Sequence, residues 1–313
     1  MKITLKQAGK IAENYNLGKI RKMNLINGGL MNYNYDVKTD VGDFIVRILG
    51  HKFNEDKKKH VALEFKLLKY LKDNNFPYKV PEPLKNKDGK IISMIGGRRF
   101  WVYAKIEGEK LRKKDLDIKD FAKALATFHK FSRKVKATGF KKKYSHNWLL
   151  GEYKKMRKAK IRDRTDRLMI KNLDFYEECV NRFNRKYRDN FMVIHSDYHM
   201  SNLLFKDKKV FAFLDFDNVS YSPRVKEISY AIKHSCIEHG KLNRKKMHDF
   251  LNEYEKYIKL DKEEKEFILP ALVLNTAIVF WWIYAGMKKA PHKRYSFLKW
   301  NIDVARAIMK ELG

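Results

Sequence analysis

Residues 195–202 read HSDYHMSN, and residues 214–217 read LDFD. Between these segments, two short apolar runs flank the polar turn KDKK, a pattern that predicts a β-hairpin. Asp197 and Asn202 lie on the loop before this hairpin, and Asp215 lies directly after it. The sequence therefore predicts two carboxylates and one amide on loops that a single hairpin connects.

These are the side chains that phosphoryl transfer requires from a protein. One carboxylate orients and deprotonates an attacking hydroxyl, hard oxygen ligands hold magnesium, and cations bind the phosphates. The pattern H-x-D-x-x-x-x-N followed by D-F-x supplies the carboxylates and the amide oxygen in this order. Because Mg²⁺ combines one or two protein oxygens with phosphate oxygens and water, this set is sufficient to bind it.

The first third of the chain has the pattern of a small mixed sheet. Apolar and polar residues alternate over residues 33–38, which is typical of a half-buried strand, and the returning strand Phe44–Leu49 contains Arg47. A charge in such a strand costs free energy unless it is paired or reaches solvent. A helix is predicted over about His60–Lys72, with Glu64 beside its apolar face.

From Gly108 onward the periodicity is mainly helical, apart from the hairpin. The fold class predicted is α+β, with two lobes of a protein-kinase-like fold. The N-terminal lobe, residues 1–104, has a small antiparallel sheet and one long helix. The larger helical lobe, residues 105–313, carries the catalytic loop and the metal hairpin.

The motifs resemble those of the aminoglycoside phosphotransferase and choline kinase superfamily, whose usual form is close to H-G-D-L-H-x-x-N followed by D-F or D-W. Residues 26–35 and 42–47 resemble the nucleotide loop and following strand of its protein-kinase-like homoserine kinases. Residues 100–108 resemble the segment between the lobes, and residues 121–129 resemble the next helix. The resemblance extends from about residue 3 to about residue 233.

The resemblance implies an ATP- and Mg²⁺-dependent enzyme with nucleotide between the lobes and adenine near Tyr103–Ile106. Asp197 matches the catalytic base, and Asn202 and Asp215 match the metal ligands. On the nucleotide side, the resemblance implies phosphate contacts from one basic side chain, its acidic partner and the backbone of a glycine loop. These positions are Arg47, Glu64, Gly28 and Gly29, with Tyr103 at the adenine.

Three positions depart from the family pattern. Ser196 replaces a common glycine, Arg47 replaces a kinase lysine, and Glu227 stands where relatives often have aspartate. A planar guanidinium also binds phosphate well, so we expect Arg47 to keep its role. Asp217 is open to three interpretations, namely a metal contact, a substrate contact or a turn cap, and His195 is expected to be structural.

The expected acceptor is the hydroxyl of a small molecule. Homoserine is the first candidate, followed by choline, ethanolamine, another amino alcohol or a sugar. Two alternatives from other classes are a Ser/Thr protein kinase and a non-catalytic nucleotide- or RNA-binding relative. The absence of an A-P-E segment after the D-F turn argues against the protein kinase, and the intact Asp197, Asn202 and Asp215 argue for activity.

The charge balance invites a nucleic-acid interpretation. The chain has 69 Lys and Arg against 37 Asp and Glu, a formal net charge of +32. The basic residues form scattered short clusters without the interleaved aromatic residues of a single-strand binder, which disfavours nucleic acid as the main partner. His195 and His199, four residues apart, suggest a metal pair, but no third ligand has zinc-like spacing.

Residues 267–285 contain no charged side chain and approach the length of a membrane span. Pro270, Asn275 and Thr276 interrupt the stretch, so a core helix is predicted and no membrane span is expected. The chain has only two cysteines and no apolar leader segment at its start, which indicates a cytoplasmic protein.

Overall fold

The computed structural model describes residues 3–26, 32–50, 53–137, 145–183, 190–287 and 291–313. The chain divides into two compact units. Unit 1 comprises Met1–Glu109, Leu204–Lys206 and Phe211–Asp217, and unit 2 comprises Lys110–Leu203, Asp207–Val210 and Asn218–Gly313. The predicted fold class, an antiparallel N-terminal sheet with a helical remainder, is confirmed. The lobe boundary at residue 104 stays a prediction.

Unit 1 is built on one antiparallel sheet with the strand order β1-β2-β3-β5-β4. Its elements are α1 (Leu5–Asn14), β1 (Ile20–Leu25), β2 (Tyr33–Thr39), β3 (Asp43–Ile48), α2 (Glu55–Asp73), β4 (Ser93–Ile95) and β5 (Arg98–Ala104). Gly96 and Gly97 connect β4 to β5 with φ of 51° and 74°, values that a glycine adopts without a steric penalty. The strands predicted around this turn are therefore present.

The two faces of this sheet have different environments because side chains alternate along a strand. On one face, Val46 and Val102 pack with α1 residues such as Ile11 in a continuous apolar core. On the other face, Arg47 lies opposite Trp101 in the β3–β5 register. The helix α2 contacts this second face through Phe65, whose ring lies 5.4 Å from that of Trp101, and Asn54 caps its N-terminus by accepting a hydrogen bond from the Lys57 amide.

Unit 2 is mainly helical. The remaining elements are α3 (Ile118–Ser132), α4 (His146–Arg157), α5 (Arg164–Lys171), α6 (Leu173–Arg182), β6 (Phe191–Ile194), β7 (Leu203–Lys206), β8 (Lys209–Phe213), β9 (Ser220–Pro223), α7 (Arg224–Cys236), β10 (Ile237–Glu238), β11 (Lys241–Leu242), α8 (Arg244–Glu255), α9 (Lys262–Ala285) and α10 (Pro291–Glu311). Short antiparallel pairs, β6–β9 and β10–β11, connect the helices. The strand β6 ends directly before His195, the first residue of the segment HSDYHMSN.

The predicted hairpin is the pair β7–β8, and its second strand packs within unit 1. The Lys79 amide donates to the Phe211 carbonyl, and the Phe213 amide donates to the Lys79 carbonyl, each at 2.9 Å. The Phe213 ring also contacts Phe76 and Tyr78, with centroids 5.5 and 5.4 Å apart. These contacts hold the residues that follow β8, including Asp215, within unit 1.

Within the described ranges, one helix, α9, is long and apolar enough to cross a membrane by length and composition. Its apolar window is 56% buried inside the structure, and Asn275 Nδ2 donates to Ser229 Oγ at 2.7 Å. Burial against α7 accounts for the apolar composition, as expected of a core helix. The cytoplasmic location stays a prediction.

Candidate active site

Arg47 is the centre of a buried ionic group in unit 1. Its Nη1 donates to Asp217 Oδ1 at 2.9 Å, and its Nη2 donates to Asp215 Oδ1 at 3.1 Å. The Glu64 carboxylate lies 3.7 Å from Nη1, and Nε donates to Asn34 at 3.2 Å. We call Arg47, Glu64, Asp215 and Asp217 the arginine cluster. It explains how an arginine 7% exposed is tolerated in an apolar strand.

Glu64 differs from the two aspartates of the cluster. Burial, followed by the charge of Asp217, raises the pKa of Glu64 to about 7 against the opposing effects of Arg47 and Tyr103. Its Oε1 accepts a hydrogen bond from the Tyr103 hydroxyl at 2.8 Å, and that hydroxyl accepts one from the Trp101 indole. The structure thus brings the predicted pair Arg47 and Glu64 together, and the aspartates lie closer to the guanidinium.

Asp215 adopts a left-handed conformation with φ of 60°, which aspartate tolerates better than most residues. Its side chain is 40% exposed, whereas that of Asp217 is 14% exposed. Asp217, whose role the sequence left open, is the nearest carboxylate to Arg47. The turn after β8 therefore directs two carboxylates to one guanidinium.

Asp197, in unit 2, accepts hydrogen bonds on both carboxylate oxygens. The Tyr230 hydroxyl donates to Oδ1 at 2.9 Å, and His199 Nε2 lies 3.4 Å from the same oxygen. Asn202 Nδ2 donates to Oδ2 at 3.0 Å, and Asn218 Nδ2 lies 3.4 Å from Oδ2. An ionised carboxylate accepts about four hydrogen bonds, so these donors fix the orientation of Asp197.

The same neighbours set the charge of Asp197. Burial acts to raise its pKa, but the hydrogen bond and charge of His199, followed by His195 and the Tyr230 hydroxyl, lower the pKa well below its usual range. Because the Ser201 amide donates to His199 Nδ1 at 3.2 Å, the proton of a neutral His199 is on Nε2, which faces Asp197. Asp197 is thus a weak base, suited to orienting a hydroxyl.

Glu227 holds the backbone that leads into the Asp197 loop. Its carboxylate is buried and accepts hydrogen bonds from the backbone amides of His195, at 3.1 Å, and Ser196, at 2.5 Å. His129 Nε2 lies 2.8 Å from the same carboxylate, and His129 Nδ1 lies 2.7 Å from the Tyr254 hydroxyl. The sequence indicated Glu227 as a departure, but nothing in its pattern identified His129 or Tyr254, because α3, α7 and α8 meet only in the fold.

Ser196, which replaces the common glycine, has φ of 65°. This conformation is held by the hydrogen bond from the Ser196 backbone amide to Glu227 and by the 2.7 Å contact between the Ser196 and Ser220 hydroxyls. The substitution is accommodated by local hydrogen bonds, which offset the steric cost of a left-handed serine.

The oxygen donors suit magnesium. Asn202 uses its Nδ2 to donate to the Asp197 carbonyl, at 3.0 Å, and to the Asp197 carboxylate, so these two hydrogen bonds do not use its amide oxygen. Asp215, in unit 1, has a partly exposed carboxylate, and amide and carboxylate oxygens are the hard donors that Mg²⁺ prefers. Among the described residues, no three His, Cys, Asp or Glu side chains form a group that could hold a metal ion.

Two of the predicted nucleotide contacts, Gly28 and Gly29, lie outside the described residues. Tyr103 is 4% exposed, and its hydroxyl is bound to Glu64. The Tyr103 hydroxyl is therefore used in a hydrogen bond within unit 1.

Comparisons with known proteins identify the family of this chain. Residues 22–258 match the model of the phosphotransferase enzyme family, APH. A homoserine kinase of Methylobacillus flagellatus is 23% identical over 281 residues, which cover 89% of this chain and 84% of that protein. A homoserine kinase of Sinorhizobium fredii is 24% identical over 269 residues, covering 85% and 79%.

Solved structures show the same fold. An amicoumacin kinase in complex with AMP-PNP and Ca²⁺ superimposes with a TM-score of 0.70 at 17% identity, covering 97% of this chain and 94% of that chain. A microcompartment-associated aminopropanol kinase gives a TM-score of 0.70 at 15% identity, covering 97% of each chain.

The chain belongs to the phosphotransferase enzyme family, because the family model matches most of its length. The predictions of an ATP-dependent phosphotransferase that acts on a small molecule, and of its superfamily, are confirmed at this level. Neither alternative, a protein kinase or a non-catalytic relative, gains support from these comparisons.

Proposed function

We propose that this enzyme transfers the γ-phosphate of ATP to the hydroxyl of a small amino alcohol, with homoserine as the first candidate acceptor. The observation that carries the proposal is the environment of Asp197, an ionised carboxylate that four polar side chains orient. Relatives named homoserine kinases and a structural neighbour named an aminopropanol kinase support this acceptor class. Choline, ethanolamine, another amino alcohol and a sugar are the further candidates.

In this proposal Asp197 accepts the proton of the acceptor hydroxyl as its oxygen attacks the γ-phosphorus. Because the transition state of phosphoryl transfer is loose, most of the rate gain comes from positioning and fixed charges rather than from strong base catalysis. The low basicity of Asp197 is consistent with a mechanism that depends on positioning more than on strong base catalysis. Tyr230 and Asn202 maintain the orientation of the carboxylate.

Asn202 and Asp215 are the proposed ligands of Mg²⁺, which when bound neutralises negative charge on the phosphates. Arg47 is the proposed phosphate-binding cation, oriented by Glu64. The backbone at Gly28 and Gly29 is proposed to cover the phosphates. Since the Tyr103 phenol is bound to Glu64, we propose that the adenine contact at this position uses the backbone.

The test is an ADP-release assay with MgATP and a panel of hydroxyl compounds, namely L-homoserine, choline, ethanolamine, 1-aminopropan-2-ol and glucose, with the product identified by mass spectrometry. We expect an amino alcohol to stimulate ADP release and to gain one phosphoryl group. Failure of every compound to raise ADP release above the rate without acceptor would overturn the proposal.

The assignment of the base is tested separately with Asp197→Asn, which keeps the size of the side chain and removes its charge. We expect a fall in kcat of about 10²–10⁴-fold, while nucleotide affinity measured by calorimetry changes less than about threefold. Retained turnover in this variant would remove Asp197 from the mechanism and leave the family membership untouched.

A further inference from the structure

The structure assigns a second recognition element to the acceptor side of unit 2. We propose that His234 hydrogen-bonds the amine of the acceptor, while Asp197 binds its hydroxyl. The inference rests on the proposed function and deepens it, because it names the residue by which the enzyme distinguishes an amino alcohol from a plain alcohol.

His234 belongs to a group of half-buried aromatic and histidine rings, two of which contact Asp197. The Tyr230 hydroxyl donates to Asp197 at 2.9 Å, and the Tyr230 and His234 rings are 4.5 Å apart. His234 stacks on His199 at 5.1 Å and contacts Trp300 of α10 at 5.4 Å. We call His199, Tyr230, His234 and Trp300 the acceptor wall, and all four side chains are half-buried.

The polar groups of this wall differ in what they already bind. The Tyr230 hydroxyl is bound to Asp197, and His199 lies between the Ser201 amide and Asp197. Lys233, buried behind Trp300, donates to Asn301 at 2.8 Å, with its Nζ 4.8 Å from the Trp300 ring centroid.

His234 is different. Across the described ranges, neither of its ring nitrogens has a hydrogen-bond partner. Neither nitrogen is among the polar atoms that are both fully buried and unpartnered. A half-buried imidazole that reaches solvent without a protein partner offers one donor and one acceptor to a ligand. Its neighbours Tyr230 and His199 both contact Asp197, so a ligand that binds Asp197 through its hydroxyl has this imidazole one ring away.

The charge state of His234 indicates which ligand group it takes. Burial and the neighbouring Lys233 and His199 lower the pKa of His234 well below its usual range, so the ring is neutral and presents a lone pair. A neutral imidazole accepts a hydrogen bond from an ammonium group. Among the charged groups near His234, Asp197 attracts an ammonium group and Lys233 opposes it. The ligand class is therefore an alcohol that carries an amine.

The experiment compares 3-aminopropan-1-ol with butan-1-ol, an isosteric pair in which a methyl group replaces the ammonium. In the wild type we expect kcat/KM to favour the amine by at least about 100-fold. In His234→Ala we expect this preference to fall about 10–100-fold, through KM for the amine, while KM for ATP changes less than threefold. His234→Gln, which keeps a hydrogen-bonding side chain, should recover part of the preference.

The matched control is His248→Ala, which removes an exposed histidine of α8 and should change neither substrate. A preference that stays unchanged in both His234 variants overturns the inference. An equal loss toward both alcohols in both variants also overturns it, because that result indicates a structural role. If the wild type phosphorylates no amino alcohol at all, the proposed function fails, and the inference fails with it; that outcome is visible before any variant is made.

Discussion

The arginine cluster of unit 1 and the Asp197 loop of unit 2 stabilise their carboxylates in different ways. In the cluster, three carboxylates surround one guanidinium, a formal excess of two negative charges. Around Asp197, one carboxylate is surrounded by hydrogen-bonding tyrosine, histidine and asparagine side chains. The cluster is thus held together mainly by charge, whereas the orientation of Asp197 depends on hydrogen-bond geometry. Charge-changing substitutions should disturb the first most, and subtle polar substitutions the second.

The largest effect on stability is expected from Arg47→Met. This change leaves Glu64, Asp215 and Asp217 without their shared cation, and breaking a buried ion pair from one side costs about 3–5 kcal/mol. We expect the free energy of urea unfolding to fall by that amount, with KM for ATP raised. Adding Glu64→Gln should restore part of the stability, because it removes one of the uncompensated charges.

The control for this prediction is Arg112→Met. Arg112 is 74% exposed and pairs with Asp115 at 2.9 Å, so its loss should cost at most about 1 kcal/mol. Equal losses for the two arginine variants would show that the cluster is not held by charge.

The next effect is a pH dependence carried by Glu64. Its pKa is raised from 4.5 to about 7 in the folded state, so the folded protein binds more protons than the unfolded chain between these values. Stability from this group is present below pH 4.5 and is lost as the pH rises to about 7. We expect Glu64→Gln to flatten that fall, by up to about 3 kcal/mol between pH 5 and pH 8.

Urea unfolding of wild type and Glu64→Gln at pH 5, 6, 7 and 8 measures this difference. Glu55→Gln, which alters an exposed carboxylate of the same helix, is the control and should follow the wild-type curve. Parallel curves for wild type and Glu64→Gln would contradict the raised pKa.

A smaller effect, on activity, is expected from Glu227→Gln. Its amide nitrogen would face the His195 or Ser196 amide, which leaves a buried donor unsatisfied and loosens the loop that carries Asp197. We expect kcat to fall about 10–100-fold with KM for ATP unchanged. Glu253→Gln, a carboxylate 9% exposed on α8, is the matched control. A change confined to the melting temperature would show that Glu227 supports the fold but not the loop.

The sequence predicted the arginine cluster more completely than the surroundings of Asp197. The motif spacing identified Asp197, Asn202 and Asp215 because a catalytic loop and a hairpin turn are local in the chain. The apolar alternation of β3 made the charge of Arg47 conspicuous and so predicted a partner. Tyr230 beside Asp197 and His129 beside Glu227 could not be predicted, because they come from helices whose packing brings distant residues together. An aromatic residue at helical spacing looks the same whether it fills a core or orients a carboxylate.

The smallest effect is expected from Tyr230→Phe. This variant tests whether hydrogen-bond geometry holds the Asp197 carboxylate in place. Losing the hydroxyl removes one of the donors to Asp197 while the ring keeps its contact with His234. We expect kcat to fall about 3–10-fold, the effect of one hydrogen bond, with KM for both substrates unchanged. Tyr153→Phe is the matched control, since the Tyr153 hydroxyl donates to the Ala277 carbonyl at 2.6 Å in the core of unit 2. If Tyr230→Phe lowers only the melting temperature, as Tyr153→Phe should, then Asn202 and His199 hold the carboxylate without it, and the geometry of the loop is more redundant than its hydrogen bonds indicate.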